Sequence, residues 1–139
     1  MVDRPPLPPV VCGAPGTGKT TLARTLAPAL GLPLIARDDL KKSLSRPWGG
    51  RPLRGRSSLA RATYELVHLL IERLLAARCS LPVETPFDPD RANPRFQALQ
   101  ARHAFREVQV LLSTPAGLLR RRYAGRTDSG ERHPGRVDR

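Results

Sequence analysis

LPPVVCGAPGTGKT, residues 7–20, is the stretch that decides the fold, because it joins a short apolar run to a glycine-rich loop. The apolar run at 7–12 has the length of a strand, and its unbroken apolar character is typical of a strand buried on both faces of a parallel sheet. Residues 18–30 then predict a helix, with apolar positions at Leu22, Leu26 and Leu30. The loop at 13–20 matches the Walker A pattern G-x-x-x-x-G-K-[ST] in full.

This pattern predicts a site for ATP and Mg²⁺. Glycines let the backbone curl until several N–H groups point at one anion, and the N-terminus of the following helix adds positive potential. Lys19 is expected to place its charge between the β- and γ-phosphates, and the Thr20 hydroxyl is expected to bind Mg²⁺. The predicted nucleotide-binding residues are Gly13, Ala14, Pro15, Gly16, Thr17, Gly18, Lys19, Thr20 and Thr21.

Strand and helix patterns alternate along the rest of the chain. Strands are predicted at 32–36, 81–84 and 107–112, and helices at 40–45, 59–78, 91–103 and 115–124. The apolar face of the long helix is expected to contain Leu59, Leu66, Leu70 and Leu74. Such alternation indicates an α/β protein of the P-loop NTPase fold, with a parallel sheet of about four strands flanked by helices. The 139 residues have room for a single domain, 1–139.

The chain is strongly basic, with a formal net charge of +12. Such a charge suits nucleic acid or another anionic partner. However, nearly all the cations are Arg, a bias that a GC-rich coding sequence also produces, so nucleic acid stays a possible partner that is not favoured. Cys12 and Cys79 lack metal-type spacing, and free thiols fit a reducing cytosol. No apolar run reaches membrane-spanning length, so we expect a cytoplasmic protein without a membrane partner.

Two acidic positions follow predicted strands, where ligands gather in doubly wound sheets. Asp38 and Asp39 follow the second strand, and Asp38 could accept the proton of an attacking hydroxyl, or the pair could cap the next helix. Glu84 closes the third strand and would face the loop if that strand neighbours the first. There it could hold a magnesium-bound water or orient the acceptor, or it could be purely structural.

Basic and aromatic side chains near these positions supply further candidates. Arg122 and Arg126 lie on one face of a short basic helix, where they could close over the triphosphate or stay solvated. Trp48 lies in a loop at 46–56 rich in Gly, Pro and Arg, where it could stack on a ring or anchor the loop on the core.

Together these residues resemble the AAA-domain family of predicted kinases and, more distantly, the kinase domain of phage polynucleotide kinase. The segments that carry the resemblance are GAPGTGKT, RDDLKKSL, VETPFDPDR, RRRYAGR and GERHPGR. The resemblance implies a nucleoside-monophosphate-kinase-like fold in which 115–139 is lid and tail. Similar kinases continue with a fifth strand and a final helix, so we expect this fold to lack both. Either the chain is C-terminally truncated, or the fold is completed in some other way.

The same resemblance implies roles for individual residues. Asp38 matches the general base that activates the acceptor hydroxyl, and Lys41 stands where polynucleotide kinases place an acceptor-binding Arg. Glu84 stands where the family usually has Asp, as a magnesium and acceptor residue. Arg122 and Arg126 match the arginines of the lid.

The sequence therefore predicts an ATP-dependent kinase that acts on a hydroxyl of a small molecule or of a nucleic-acid end. A P-loop ATPase or GTPase switch or motor is one alternative. The sequence contains no N-K-x-D segment for reading guanine, which argues against a GTPase. It also contains no long apolar strand that ends in Asp-Glu, which argues against a typical AAA+ motor. A nucleotide-binding module without kinase activity is another alternative. Neither the acceptor nor the oligomeric state can be read from the sequence.

Overall fold

The computed structural model of the chain describes residues 4–46 and 56–128, with the side chains of 56, 123 and 126–128 excepted. Its elements follow one another as an alternation of strands and helices. In chain order they are β1 (Pro9–Gly13), α1 (Lys19–Ala29), β2 (Ile35–Ala36), α2 (Arg37–Ser45), α3 (Arg56–Ala76), β3 (Val83–Glu84), α4 (Pro89–Arg102), β4 (Val108–Leu112) and α5 (Ala116–Asp128).

The four strands form one parallel sheet in the order β2-β3-β1-β4. Strand β1 pairs with β3 on one side, where Val11 lies opposite Glu84, and with β4 on the other, where Gly13 lies opposite Leu112. Val10 and Val11 are fully buried, as expected for an interior strand that is covered on both faces. The predicted α/β class with four parallel strands is confirmed, and the carboxyl end of β3 lies beside that of β1.

The buried face of α1 does not carry its largest apolar side chains. Ala23 and Ala27 are buried, whereas Leu22 is 36% and Leu30 51% exposed. The reason is that the loop fixes the rotation of the helix by turning Lys19 inward, and residues spaced by four share its face. The bulky leucines therefore lie beside the contact with the sheet, where close approach favours alanine.

The buried face of α3 is offset by one residue from its predicted apolar face. Its buried positions, spaced by four residues, are Thr63, Val67, Ile71 and Leu75. Of the predicted face, Leu70 and Leu74 are partly buried and pack against the core from its edge. Several apolar residues on adjacent faces made the rotation ambiguous. The buried face is the one that joins the core cluster containing Val83 of β3 and Phe96 of α4.

The helix bounds differ from the predicted ones, most consequentially in α2, α4 and α5. Helix α2 begins at Arg37 with Ala36 as its N-cap, so Asp38 and Asp39 lie in the first turn and neither is the capping residue. Helix α4 begins at Pro89 because the Asp88 carboxylate caps it by accepting from the N–H of Asp90 at 3.2 Å. Helix α5 continues past the predicted end at residue 124.

The predicted loop at 46–56 falls mainly on 47–55, so the two interpretations of Trp48 lie outside the described residues. Over the described ranges, 4–46 and 56–128, no helix is both long and apolar enough to cross a membrane.

Candidate nucleotide-binding site

The loop between β1 and α1 is tightly curled. Gly13, Gly16 and Gly18 have φ angles of +145°, +85° and +93°, in the region that side chains rarely adopt. Gly18 is the N-cap of α1 and offers no side chain to the first helical N–H groups. Those donors are therefore left for a ligand, which is the arrangement that suits a phosphate.

One carbonyl braces the loop from within. The Ala14 oxygen accepts from the Thr17 N–H at 3.3 Å, from Thr17 Oγ1 at 2.8 Å and from Lys19 Nζ at 3.1 Å. Thr17 and Lys19 are only 7% and 6% exposed. The ammonium group of Lys19 is thus held against the loop, which is where a counter-charge for phosphate belongs.

Gly13 couples the loop to the sheet. A Cβ atom at this position would lie 2.3 Å from the carbonyl oxygen of Leu112 in β4. Only glycine allows β4 to approach the start of the loop this closely, whatever the backbone angle.

Glu84 lies at the centre of the site. This carboxylate is 3% exposed, and its Oε2 atom has no hydrogen-bond partner among the described residues. Burial and the nearby Asp38 raise the pKa of Glu84, while the charge of Lys19 and a hydrogen bond from Thr20 oppose the rise. A buried carboxylate oxygen beside a threonine hydroxyl is the donor set that Mg²⁺ prefers, so the residues fit this ion.

The two aspartates of α2 have different surroundings. Asp39 forms an ion pair with Arg24 of α1, with 2.9 Å between the carboxylate and the guanidinium nitrogen. Asp38 acts on Glu84 more strongly than Asp39 does. The first turn of α2 therefore brings Asp38 to the site and ties Asp39 to the neighbouring helix.

The other predicted residues occupy separate positions. Lys41 is buried, on the face of α2 that also buries Ser45. Thr21 is exposed in the first turn of α1. Arg122 Nη1 donates to the Gly16 carbonyl at 3.1 Å, which brings α5 against the loop. The side chain of Arg126 lies outside the described ones.

Two contacts of the site had no signal in the sequence. One is the Arg24–Asp39 pair, and the other is Leu119, whose Cδ2 would lie 3.5 Å from a Cβ at Gly16. Both join residues far apart in sequence, and neither spacing forms a recognisable motif. Among the described residues, no group of three or more His, Cys, Asp or Glu side chains forms a metal cluster.

A parallel sheet with this loop between its interior strand and α1 defines a P-loop domain of the kinase-like fold. A family model described as an AAA domain matches residues 9–139, and the chain belongs to this AAA-domain family. No curated protein matches the sequence.

Two solved structures are similar. The first is a protein of Chloroflexus aurantiacus described as a candidate kinase, with 28% identity and a TM-score of 0.86 over 99% of this chain and 74% of that one. The second is a chain of the Pnkp1/Rnl/Hen1 complex, with 18% identity and a TM-score of 0.64 over 88% of this chain and 40% of that one. At this identity, the second likeness shows the fold alone.

Proposed function

We propose that the protein is an ATP-dependent kinase that transfers the γ-phosphoryl group of ATP to a hydroxyl group of a small molecule or a nucleic-acid end. The observation that carries the proposal is the convergence of Lys19, Glu84 and Asp38 at the carboxyl end of the sheet, beside the curled loop. These residues come from α1, β3 and α2. A phosphate loop alone would serve any nucleotide-binding protein, whereas a carboxylate beside it is what transfer to an alcohol needs.

The loop and the start of α1 form the proposed phosphate site. Backbone N–H groups within 13–21 bind the triphosphate, and Lys19 neutralises its β- and γ-oxygens. Thr20 and Glu84 would hold Mg²⁺, which supplies charge neutralisation at the phosphates when bound. The unpartnered Oε2 of Glu84 supports this assignment, because a buried carboxylate oxygen is costly unless it is paired or binds a cation.

Asp38 is the proposed general base. Its carboxylate accepts the proton of the acceptor hydroxyl as that oxygen attacks the γ-phosphorus, and ADP leaves with the electron pair of the broken bond. Lys41 is proposed to bind the acceptor. Arg122 and Arg126 are proposed to neutralise the charge on the transferred group, and the contact of Arg122 with Gly16 supports its share.

The test compares Asp38→Asn with Asp39→Asn, since both make the same change in one turn of α2. Labelled ATP is incubated with nucleosides, oligonucleotides, sugars and hydroxylated antibiotics, and ATP affinity is measured by calorimetry. We expect Asp38→Asn to lower transfer by about 10²–10⁴-fold, the usual contribution of a general base, with ATP affinity nearly unchanged. Asp39→Asn loses only an exposed ion pair, worth about 1 kcal/mol or less, and should keep most of the activity.

Two results would overturn parts of this proposal. If Asp38→Asn transfers phosphate as fast as the unmodified protein, Asp38 is not the general base, although the protein is still a kinase. If label passes only to water with every acceptor, the protein is an ATPase.

A further inference from the structure

Helix α5 packs on the phosphate loop at Gly16. The atoms nearest to a Cβ at Gly16 would be Leu119 Cδ2 at 3.5 Å, followed by Arg122 Cβ and the Leu119 carbonyl oxygen, both at 4.0 Å. Leu119 and Arg122 are three residues apart and share one face of the helix. Gly16 is itself buried. One face of α5 therefore covers the turn that has to present its N–H groups to phosphate.

The peptide group between Gly16 and Thr17 is held at both ends. Its N–H donates to the Ala14 carbonyl at 3.3 Å, and its C=O accepts from Arg122 Nη1 at 3.1 Å. Because a peptide group is planar, fixing both ends fixes the direction of the whole unit. The direction of the peptide groups decides whether the loop forms an anion-binding concavity.

The two contacts from α5 have different consequences. A guanidinium group carries five N–H donors, so the bond to Gly16 leaves Arg122 with donors for a ligand. Leu119 has no polar atom in its side chain, so its effect on phosphate binding acts through the loop. Its Cδ2 would make ordinary van der Waals contact with a Cβ at Gly16, so Leu119 covers this turn and limits its outward movement.

We propose that Leu119 is a positioning residue of the nucleotide site, which holds the loop at Gly16 in the conformation that accepts phosphate. The proposal rests on the nucleotide binding proposed above and adds a residue that never touches the ligand. Helix α5 therefore holds the loop in position and also contains Arg122 and Arg126.

The test compares Leu119→Ala with Leu118→Ala, the same truncation at the preceding, also half-buried position. Amide hydrogen exchange is followed without nucleotide, and the affinity for Mg·ATP is measured by calorimetry. We expect Leu119→Ala to speed exchange of the Thr17 amide, which donates to the Ala14 carbonyl, and to weaken Mg·ATP binding. Each effect should be about tenfold, smaller than the loss for a fully buried leucine, because Leu119 is only half-buried. Exchange in the core of α3, at 67–75, should stay unchanged, and Leu118→Ala should have neither effect.

A milder variant covers the case in which the alanine variant unfolds. Leu119→Val keeps most of the side chain and should give a smaller increase in exchange at the same amide. The proposal is overturned if exchange of the Thr17 amide matches that of the unmodified protein, or if exchange rises equally in the core of α3, which would indicate a general structural role. If calorimetry detects no binding of Mg·ATP to the unmodified protein, the proposed function is refuted instead. The exchange result would still show whether Leu119 holds the loop in place.

Discussion

Acid should destabilise this protein through one buried histidine. His68 of α3 is 8% exposed and lies between the rings of Tyr64 and Phe96, with centroid distances of 4.5 and 5.8 Å. Burial first, and then the charge of Arg95, lower the pKa of His68 from 6.5 to about 4, against a smaller opposing effect of Glu65. The histidine is therefore neutral in the folded protein at pH 7.

The sign and size follow from these two pKa values. Between pH 6.5 and 4 the unfolded chain binds a proton at this histidine that the folded protein refuses, so the free energy of unfolding falls as the pH falls. At 1.36 kcal/mol for each unit of pKa, the loss over the window is about 3 kcal/mol. That is a large part of a typical stability of about 5–15 kcal/mol.

His68→Phe isolates this contribution, because it keeps an aromatic ring and removes the titrating group. Urea unfolding of both proteins at pH 7, 6, 5 and 4 gives the difference in unfolding free energy, from which the carboxylate contributions cancel. We expect that difference to shift by about 3 kcal/mol in favour of the variant between pH 7 and pH 4. Tyr64→Phe, which alters the same cluster without removing the histidine, should keep the original pH dependence. Parallel stability curves for His68→Phe and the unmodified protein would refute the reasoning.

Two further predictions concern the site. Glu84→Gln should raise the melting temperature without ligand at pH 7, because the raised pKa of Glu84 makes its ionised form costly. This gain in melting temperature should vanish below pH 4.5. The same variant should abolish the magnesium dependence of ATP binding. An unchanged melting temperature at pH 7 would contradict this. Gly13→Ala should lower the unfolding free energy by at least about 2 kcal/mol in urea titrations, since its Cβ would meet the Leu112 carbonyl, whereas Gly117→Ala, with open space around it in α5, should be neutral or stabilising.

The elements themselves could be predicted from local pattern. The loop at 13–20 carries its own geometry in its glycines, and each of the four strands appeared as a short apolar run. The rotation of the helices did not follow from that pattern: Leu22 and Leu30 of α1 are exposed, and Ala23 is buried. Hydrophobicity favours the larger side chains, but the inward direction of Lys19 fixes which face of α1 meets the sheet.

The site divides in the same way. The sequence predicted that Glu84 would face the loop if the third strand neighbours the first, and the pairing of β1 with β3 meets that condition. By contrast, the difference between Asp38 and Asp39 depends on Arg24, and the brace at Gly16 depends on Leu119. The roles of Glu84 and Asp38 in catalysis remain predictions, as do those of Lys41 and the two arginines of α5.

The sequence by itself determined the phosphate loop and the alternation of strands and helices, because both arise from interactions between residues close along the chain. Only the tertiary structure decided which aspartate acts more strongly on Glu84, which face of each helix is buried and what contacts the loop from outside. Those outcomes depend on contacts across as many as 106 positions, such as Arg122 with Gly16. Such contacts exist only after the sheet has brought separate segments together.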